Sequence, residues 1–122
     1  PGSEKREECN QLIDDLHLKL QKKAFEIAKL YYKMEDYIAA ITAFENILKD
    51  YPDTEYKEDI LYYIAMSYFH YAELSIESKK KERYQATIDA YEKLNTFFPE
   101  SRYQKEVKGI HKKARSAKSK YK

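Results

Sequence analysis

From Glu4 to Met34 nothing interrupts a helical pattern. Leu12, Leu16, Leu20, Ile27 and Tyr31 recur at helical spacings, and the run has neither proline nor glycine. The pattern predicts one helix over 4–34, about 45 Å long at about 1.5 Å per residue. Within it, Ala24, Ile27, Ala28 and Tyr31 form one stripe. Glu35-Asp36 then makes a short polar break. A second stripe follows, Tyr37, Ala40, Ile41, Phe44, Ile47 and Leu48, before Tyr51-Pro52 closes the segment. A stripe, a tight break, a second stripe and a proline predict two antiparallel helices. The small residues Ala28 and Ala40 would let the pair approach closely, and Tyr31 and Phe44 would fill the space between them.

The unit returns. Tyr37-Ile-Ala-Ala-Ile-Thr-Ala-Phe-Glu-Asn-Ile matches Tyr84-Gln-Ala-Thr-Ile-Asp-Ala-Tyr-Glu-Lys-Leu 47 positions on, whereas Ile27-Ala28 and Tyr31 match Ile64-Ala65 and Tyr68 only 37 positions on. The second hairpin therefore has about ten extra residues between its helices. Tandem helical hairpins of this length and patterning resemble tetratricopeptide repeats, although Ala24 and Ala28 stand where a large aromatic and a glycine are common. The expected architecture is all-α. It is a right-handed tetratricopeptide-type solenoid of about five helices, with a long first helix and a C-terminal capping helix.

The remaining boundaries follow. Helix two is expected over about 37–49. Asp53 or Thr54 is placed to accept from the first free N–H groups of helix three, where Glu55 and Glu58 suit the helix dipole. Helix three is expected from about Glu55 to Ile76, running on into a basic loop at Lys79-Lys80-Lys81. Helix four then covers about 82–97. Ser101 and Gln104 are spaced as a capping box for helix five, 101–118, and Gly109 inside that helix suggests close approach to helix four. The whole of 4–122 reads as one unit, with repeats at about 24–52 and 61–99. Pro1-Gly2-Ser3 reads as an expression remnant, and the chain is expected to be a piece of a longer protein.

Composition changes this picture little. Of 122 residues only two are glycine and none is tryptophan, while tyrosine alone supplies 13. Scarce glycine with abundant Ala, Leu, Lys and Glu favours helix over sheet. The net charge of +2 is modest but unevenly distributed. Residues 101–122 carry nine Lys or Arg against the single acid Glu106, and the preceding hundred residues hold fourteen basic and twenty acidic groups. A basic end can meet an acidic surface, but a solvated terminal helix accounts for it, and nucleic acid is not an expected partner. No apolar run is long enough to span a membrane.

Catalytic chemistry has no foothold. His17, His70 and His111 are far apart in sequence, and with one cysteine, Cys9, neither an internal disulfide nor a thiolate zinc site can form. There is no glycine-rich phosphate loop. Asp14 and Asp15 are adjacent and point apart on a helix. The chain is expected to be no enzyme, with no metal and no cofactor. Helix three is unusually aromatic. Tyr62, Tyr63 and Phe69 extend beyond its hairpin face, so they are candidate partner-binding residues, with packing against both neighbours of a stack as the alternative.

The pair Tyr31-Tyr32 ahead of the turn, the run Tyr37–Phe44, and Leu48-Lys-Asp-Tyr-Pro-Asp-Thr-Glu-Tyr56 carry a further resemblance. Together with the long first helix and the stretched second hairpin, they look like the later repeats of the BamD-like lipoproteins of outer-membrane β-barrel assembly. Lys81-Glu-Arg-Tyr84, Ala90-Tyr91-Glu92 and Phe98-Pro-Glu-Ser-Arg-Tyr103 are most similar to members from the Bacteroidetes. The resemblance covers about 12–118. It implies a lipoprotein anchored at the periplasmic face of the outer membrane, whose late repeats dock on the periplasmic domains of the central barrel-assembly subunit. Other assembly lipoproteins or unfolded barrel precursors would be further partners. Some members place an arginine just before the position of Phe44; here Ala43 stands there, so that link is lost. Lys33, Glu35, Asp36 and Tyr37 at the first hairpin turn are the candidates to replace it. The alternative is a generic tetratricopeptide module, cytoplasmic or periplasmic, that binds a protein or peptide. The first half of the long helix is expected to pack against a missing upstream repeat, which would leave Ile13, Leu16 and Leu20 exposed here or covered by a second copy; self-association through Leu12, Leu16 and Leu20 is a further expectation.

Overall fold

A computed structural model describes residues 2–121, with side chains from Lys5 onward. Pro1 lies outside the described residues, as do the side chains of Gly2 and Ser3, the rest of the expected expression remnant. The chain forms five helices and, among the described residues, no strand: α1 Gly2–Lys33, α2 Tyr37–Asp50, α3 Lys57–Glu73, α4 Glu77–Phe97 and α5 Gln104–Lys118. The fold is an all-α solenoid of helical hairpins. α1 pairs with α2 and α3 with α4, while α5 closes over α4 and α3. Helix α3 is the central element, since it packs against all four others.

The first hairpin is built close, as its small residues predict. Ala28 and Ala40 are fully buried, and Phe44 lies between the helices with no exposure. The α1 register differs from the expected one by a residue. Phe25 and Ala28 are buried and Tyr32 is half-buried, whereas Ile27 and Tyr31 are 44% and 37% exposed. Phe25 is placed by its contacts: it stacks on Tyr56 at 4.6 Å and lies tilted against Phe44 at 6.0 Å. An aromatic at 25 with small residues at 28 and 40 fits the hairpin better than Tyr31 does, because α3 supplies aromatic faces for it.

The α3–α4 junction also differs. α3 ends at Glu73, the turn is Leu74–Ile76, and Lys79-Lys80-Lys81 lie inside α4 rather than in a loop. The extra residues lengthen both helices of the hairpin. Lysine is a good helix former and its charges can stay in water, so the tract propagates helix. The break falls at Ser75 instead. Its Oγ donates to Tyr71 O at 2.5 Å and accepts from Arg83 at 2.6 Å, and the Arg83 guanidinium stacks 4.1 Å over the Tyr71 ring.

Two proline turns join the hairpins. At the first, buried Thr54 accepts from Tyr56 N at 3.3 Å, so Thr54 rather than Asp53 is the local acceptor. At the second, Ser101 accepts from Tyr103 N at 3.1 Å, but the expected capping box does not form. Gln104 instead sends its amide back to Phe98 O, Pro99 O and Asn95 Oδ1 at 3.0–3.2 Å, satisfying the end of α4. The acids at the start of α3 take up the vacated role across the repeat. Glu58 accepts from Ser101 Oγ at 2.7 Å and Arg102 N at 3.0 Å, while Asp59 accepts from Arg102 and the Tyr103 hydroxyl. Helix five is thus latched to α3 by charge-assisted bonds, and Val107, Ile110 and Ala114 bury its apolar face. Gly109 is exposed, and a Cβ there would meet nothing within 4 Å, so it marks no close approach.

Two stability measurements check this account. Phe25→Ala should cost about 3–5 kcal/mol in urea unfolding, whereas Ile27→Ala, measured on dilute protein, should stay within about 1 kcal/mol. Gly109→Ala should stabilise the chain by about 0.5–1 kcal/mol; a loss would mean that α5 is packed on that side.

Candidate docking surface

The turn between α1 and α2 is the most sharply defined exposed feature. Glu35 N–H donates to Tyr32 O and Asp36 N–H to Tyr31 O, each at 3.0 Å, with Glu35 at φ 62°. This is the paired-bond motif that ends many helices, and its left-handed residue is usually glycine. Here it is glutamate, which pays about 1 kcal/mol or more for the conformation. Asp36 then caps α2, its Oδ1 accepting from Ala39 N at 3.3 Å. Tyr37 anchors the turn from beneath: its ring stacks on His70 at 5.2 Å and meets Tyr32 edge-on at 5.8 Å. Lys33, Glu35 and Asp36 are exposed and Tyr37 is half-buried. Exposed Met34 and Ile38 flank them.

The aromatic candidates of α3 have a different place. Phe69 is buried in the α3–α4–α5 core. Tyr63 stacks on Phe44 at 5.4 Å, and Tyr62 stacks on Tyr103 at 3.9 Å. These three rings hold neighbouring helices together. Their spread around α3 reflects a helix with neighbours on every side, and only Tyr62 and Tyr63 keep partial exposure. Sequence reasoning missed two other features. One is a groove of about 690 Å³ between α2 and α4, floored by Leu61 and Ile64 and rimmed by Glu45, Lys49, Asp89 and Lys93. Tyr68 reaches into it, donating to Glu45 Oε1 at 3.1 Å. The other is His111, which stacks on Tyr91 at 4.1 Å and whose pKa is lowered by burial and, next, by Arg115.

No group of three His, Cys, Asp or Glu among the described residues could hold a metal ion. Cys9 is exposed, and no described helix is long and apolar enough to cross a membrane. The groups with large pKa shifts are mostly tyrosines embedded in packing.

A family model described as YfiO, outer membrane lipoprotein, matches residues 1–85, from the start of α1 into α4. The chain belongs to the YfiO family. No curated protein matches it. YfiO membership makes the chain a non-catalytic scaffold of the outer-membrane protein assembly machinery, acting through protein–protein contact at the outer membrane. The match ends within α4, so it includes Glu58 and Asp59 but not α5 or Ser101, Arg102 and Tyr103, which they latch.

Burial raises the pKa of Tyr32, Tyr68 and Tyr103 from 10.0 to about 12, with Glu45 adding to the effect at Tyr68 and Asp59 at Tyr103. The folded chain therefore keeps phenol protons that the unfolded chain releases near pH 10, and it binds more protons in that interval. Stability should be unaffected by these groups below pH 10 and should fall progressively as pH rises to about 12. Melting temperature against pH, with phenolate absorbance recorded alongside, checks this. Ordinary titration of every tyrosine near pH 10 in the folded protein would contradict it.

Proposed function

We propose that the α1–α2 turn docks this scaffold on the periplasmic domains of the central barrel-assembly subunit. The parent protein would be held at the periplasmic face of the outer membrane by an N-terminal lipid. The repeats at about 24–52 and 61–99, covered by the helix at about 101–118, would serve as one rigid mount. The observation that carries the reading is Glu35 at φ 62°. A non-glycine residue held in the left-handed region costs stability, and such strain clusters at functional sites. Glycine would complete the same turn at lower cost but would leave no carboxylate at its tip.

The surroundings support that role. The turn is fixed by backbone bonds, by the Asp36 cap and by the Tyr37–His70 stack, so its charges are displayed with little entropy left to lose on binding. Lys33, Glu35 and Asp36 give a polar rim, and Met34 and Ile38 offer apolar contact beside it. This mixture resembles the edge of a standard protein interface. Ala43 is half-buried, so the face that lacks the family's arginine offers no charge of its own there.

Calorimetric titration with those periplasmic domains from the same organism, at low and high salt, tests the reading. Saturable one-to-one binding is expected, weaker at high salt. Glu35→Gly should raise the unfolding free energy by about 1 kcal/mol while weakening binding about tenfold. Asp36→Asn keeps the cap but loses the charge, and should weaken binding without loss of stability. Absence of binding by folded protein, or turn variants that bind as the parent does, would overturn the docking assignment.

A further inference from the structure

Between α2 and α4 lies a trough. Short turns join α2 to α3 and α3 to α4, so α2 and α4 run the same way. Both pack on α3, but their backbones make no close approach to one another. The space between them, about 690 Å³, is floored by Leu61 and Ile64 of α3 and walled by Leu48 of α2 and by Ala86 and Ala90 of α4. Ala86 and Ala90 are half-buried and stand one turn apart, so the α4 wall is low, as Ala28 and Ala40 make the first hairpin close. Four exposed charges stand on the rim, Glu45 and Lys49 from α2 and Asp89 and Lys93 from α4. None of the four belongs to an ion pair among the described residues.

We infer that the trough receives an amphipathic helix of a partner protein. The floor decides the conformation of the occupant. It is apolar, and the polar group that reaches it, the Tyr68 hydroxyl, already donates to Glu45 Oε1 at 3.1 Å. An extended peptide would bring main-chain N–H and C=O groups onto a surface that cannot satisfy them. A helix has already paired its own and presents only side chains. A small molecule would find no free buried polar group to orient it. The low alanine wall lets a helix settle between α2 and α4 with its apolar side on Leu48, Leu61 and Ile64, which is helix-in-groove recognition.

Charge sets the flanks of that helix and its direction. On both rims the acid stands one turn before the lysine, Glu45 before Lys49 and Asp89 before Lys93. The trough therefore has an acidic end and a basic end. The acidic end is held in place, by Tyr68 on Glu45 and by the Gln85 amide, which donates to Asp89 Oδ1 at 2.8 Å. A partner helix whose own flanks carry glutamate one turn before lysine, the order that favours helix, is complementary when it runs antiparallel to α2 and α4. Its glutamates then meet Lys49 and Lys93, and its lysines meet Glu45 and Asp89. The parallel direction would set like charges together along both rims. Glu45 lies about 10 Å along α2 from Ile38 at about 1.5 Å per residue, so the trough is separate from the α1–α2 turn, and the inference does not rest on the docking proposal.

The probe is a synthetic helix of about 18 residues, labelled for fluorescence anisotropy, with leucines along one side and glutamate one turn before lysine on each flank. The intact chain should bind it saturably and should not bind a scrambled peptide of the same composition. Lys49→Glu combined with Lys93→Glu should weaken binding about tenfold. A peptide with lysine in place of the flanking glutamates should restore it on that variant. Ala86→Trp puts a large ring into the trough and should abolish binding. Circular dichroism should show unchanged helix content and melting in both variants. The double lysine variant should leave binding at the α1–α2 turn unchanged, so this inference and the docking proposal fail separately. Absence of binding by the folded parent, or equal binding of the striped and scrambled peptides, overturns the inference. So does binding indifferent to the lysine reversal and to Ala86→Trp. A proline-interrupted copy that binds as tightly as the helix marks an extended occupant and overturns it as well.

Discussion

The fold depends on a continuous run of aromatic contacts through α3. Phe44 stacks on Tyr63 at 5.4 Å, Tyr63 meets Tyr62 edge-on at 5.1 Å, and Tyr62 stacks on Tyr103 at 3.9 Å. Tyr32 joins Tyr63 from α1 at 5.1 Å. One chain of rings thus links the first hairpin to the segment that enters α5. Aromatic pairs contribute about 0.5–1.5 kcal/mol each beyond the area they bury. They also fix relative orientation, which aliphatic packing does less well. In a solenoid, where each repeat touches only its neighbours, such orientation sets the whole mount.

Polar latches complement the rings at the same junction. Glu58 and Asp59, placed in the first turn of α3, reach Ser101, Arg102 and Tyr103 at the entrance to α5. The acids suit the positive end of the α3 dipole, and the bonds they accept tie together residues more than forty apart in sequence. The two buried clusters, one centred on Phe44 and one on Leu94 and Val107, are joined through the shared packing of Leu48 and Ala90. The result is one continuously packed body, with the α1–α2 turn exposed at its edge.

Much of this was legible in the residues. The hairpin pattern, the small residues at Ala28 and Ala40, the central Phe44 and the α5 face of Val107, Ile110 and Ala114 all follow from periodicity and size. The resemblance that named the family rested on motifs that the YfiO match covers through residue 85. What could not be read was which of two adjacent stripes of α1 faces inward. Phe25 and Ile27 both lie on plausible helical faces, and the choice turns on Tyr56 and Tyr63, which arrive from another helix. The roles of Tyr62, Tyr63 and Phe69 were ambiguous for the same reason.

The sequence by itself determined the helix count and the close packing of the first hairpin, because these depend on local spacing and on residue size. Tertiary structure decided the register of α1, the placement of the lysine tract within α4 and the bonding of Gln104. Each of those is a competition between locally equivalent options. Neighbouring helices settle it, by offering an aromatic face to Phe25, an Arg83 bond to Ser75 and free carbonyls at the end of α4 to Gln104.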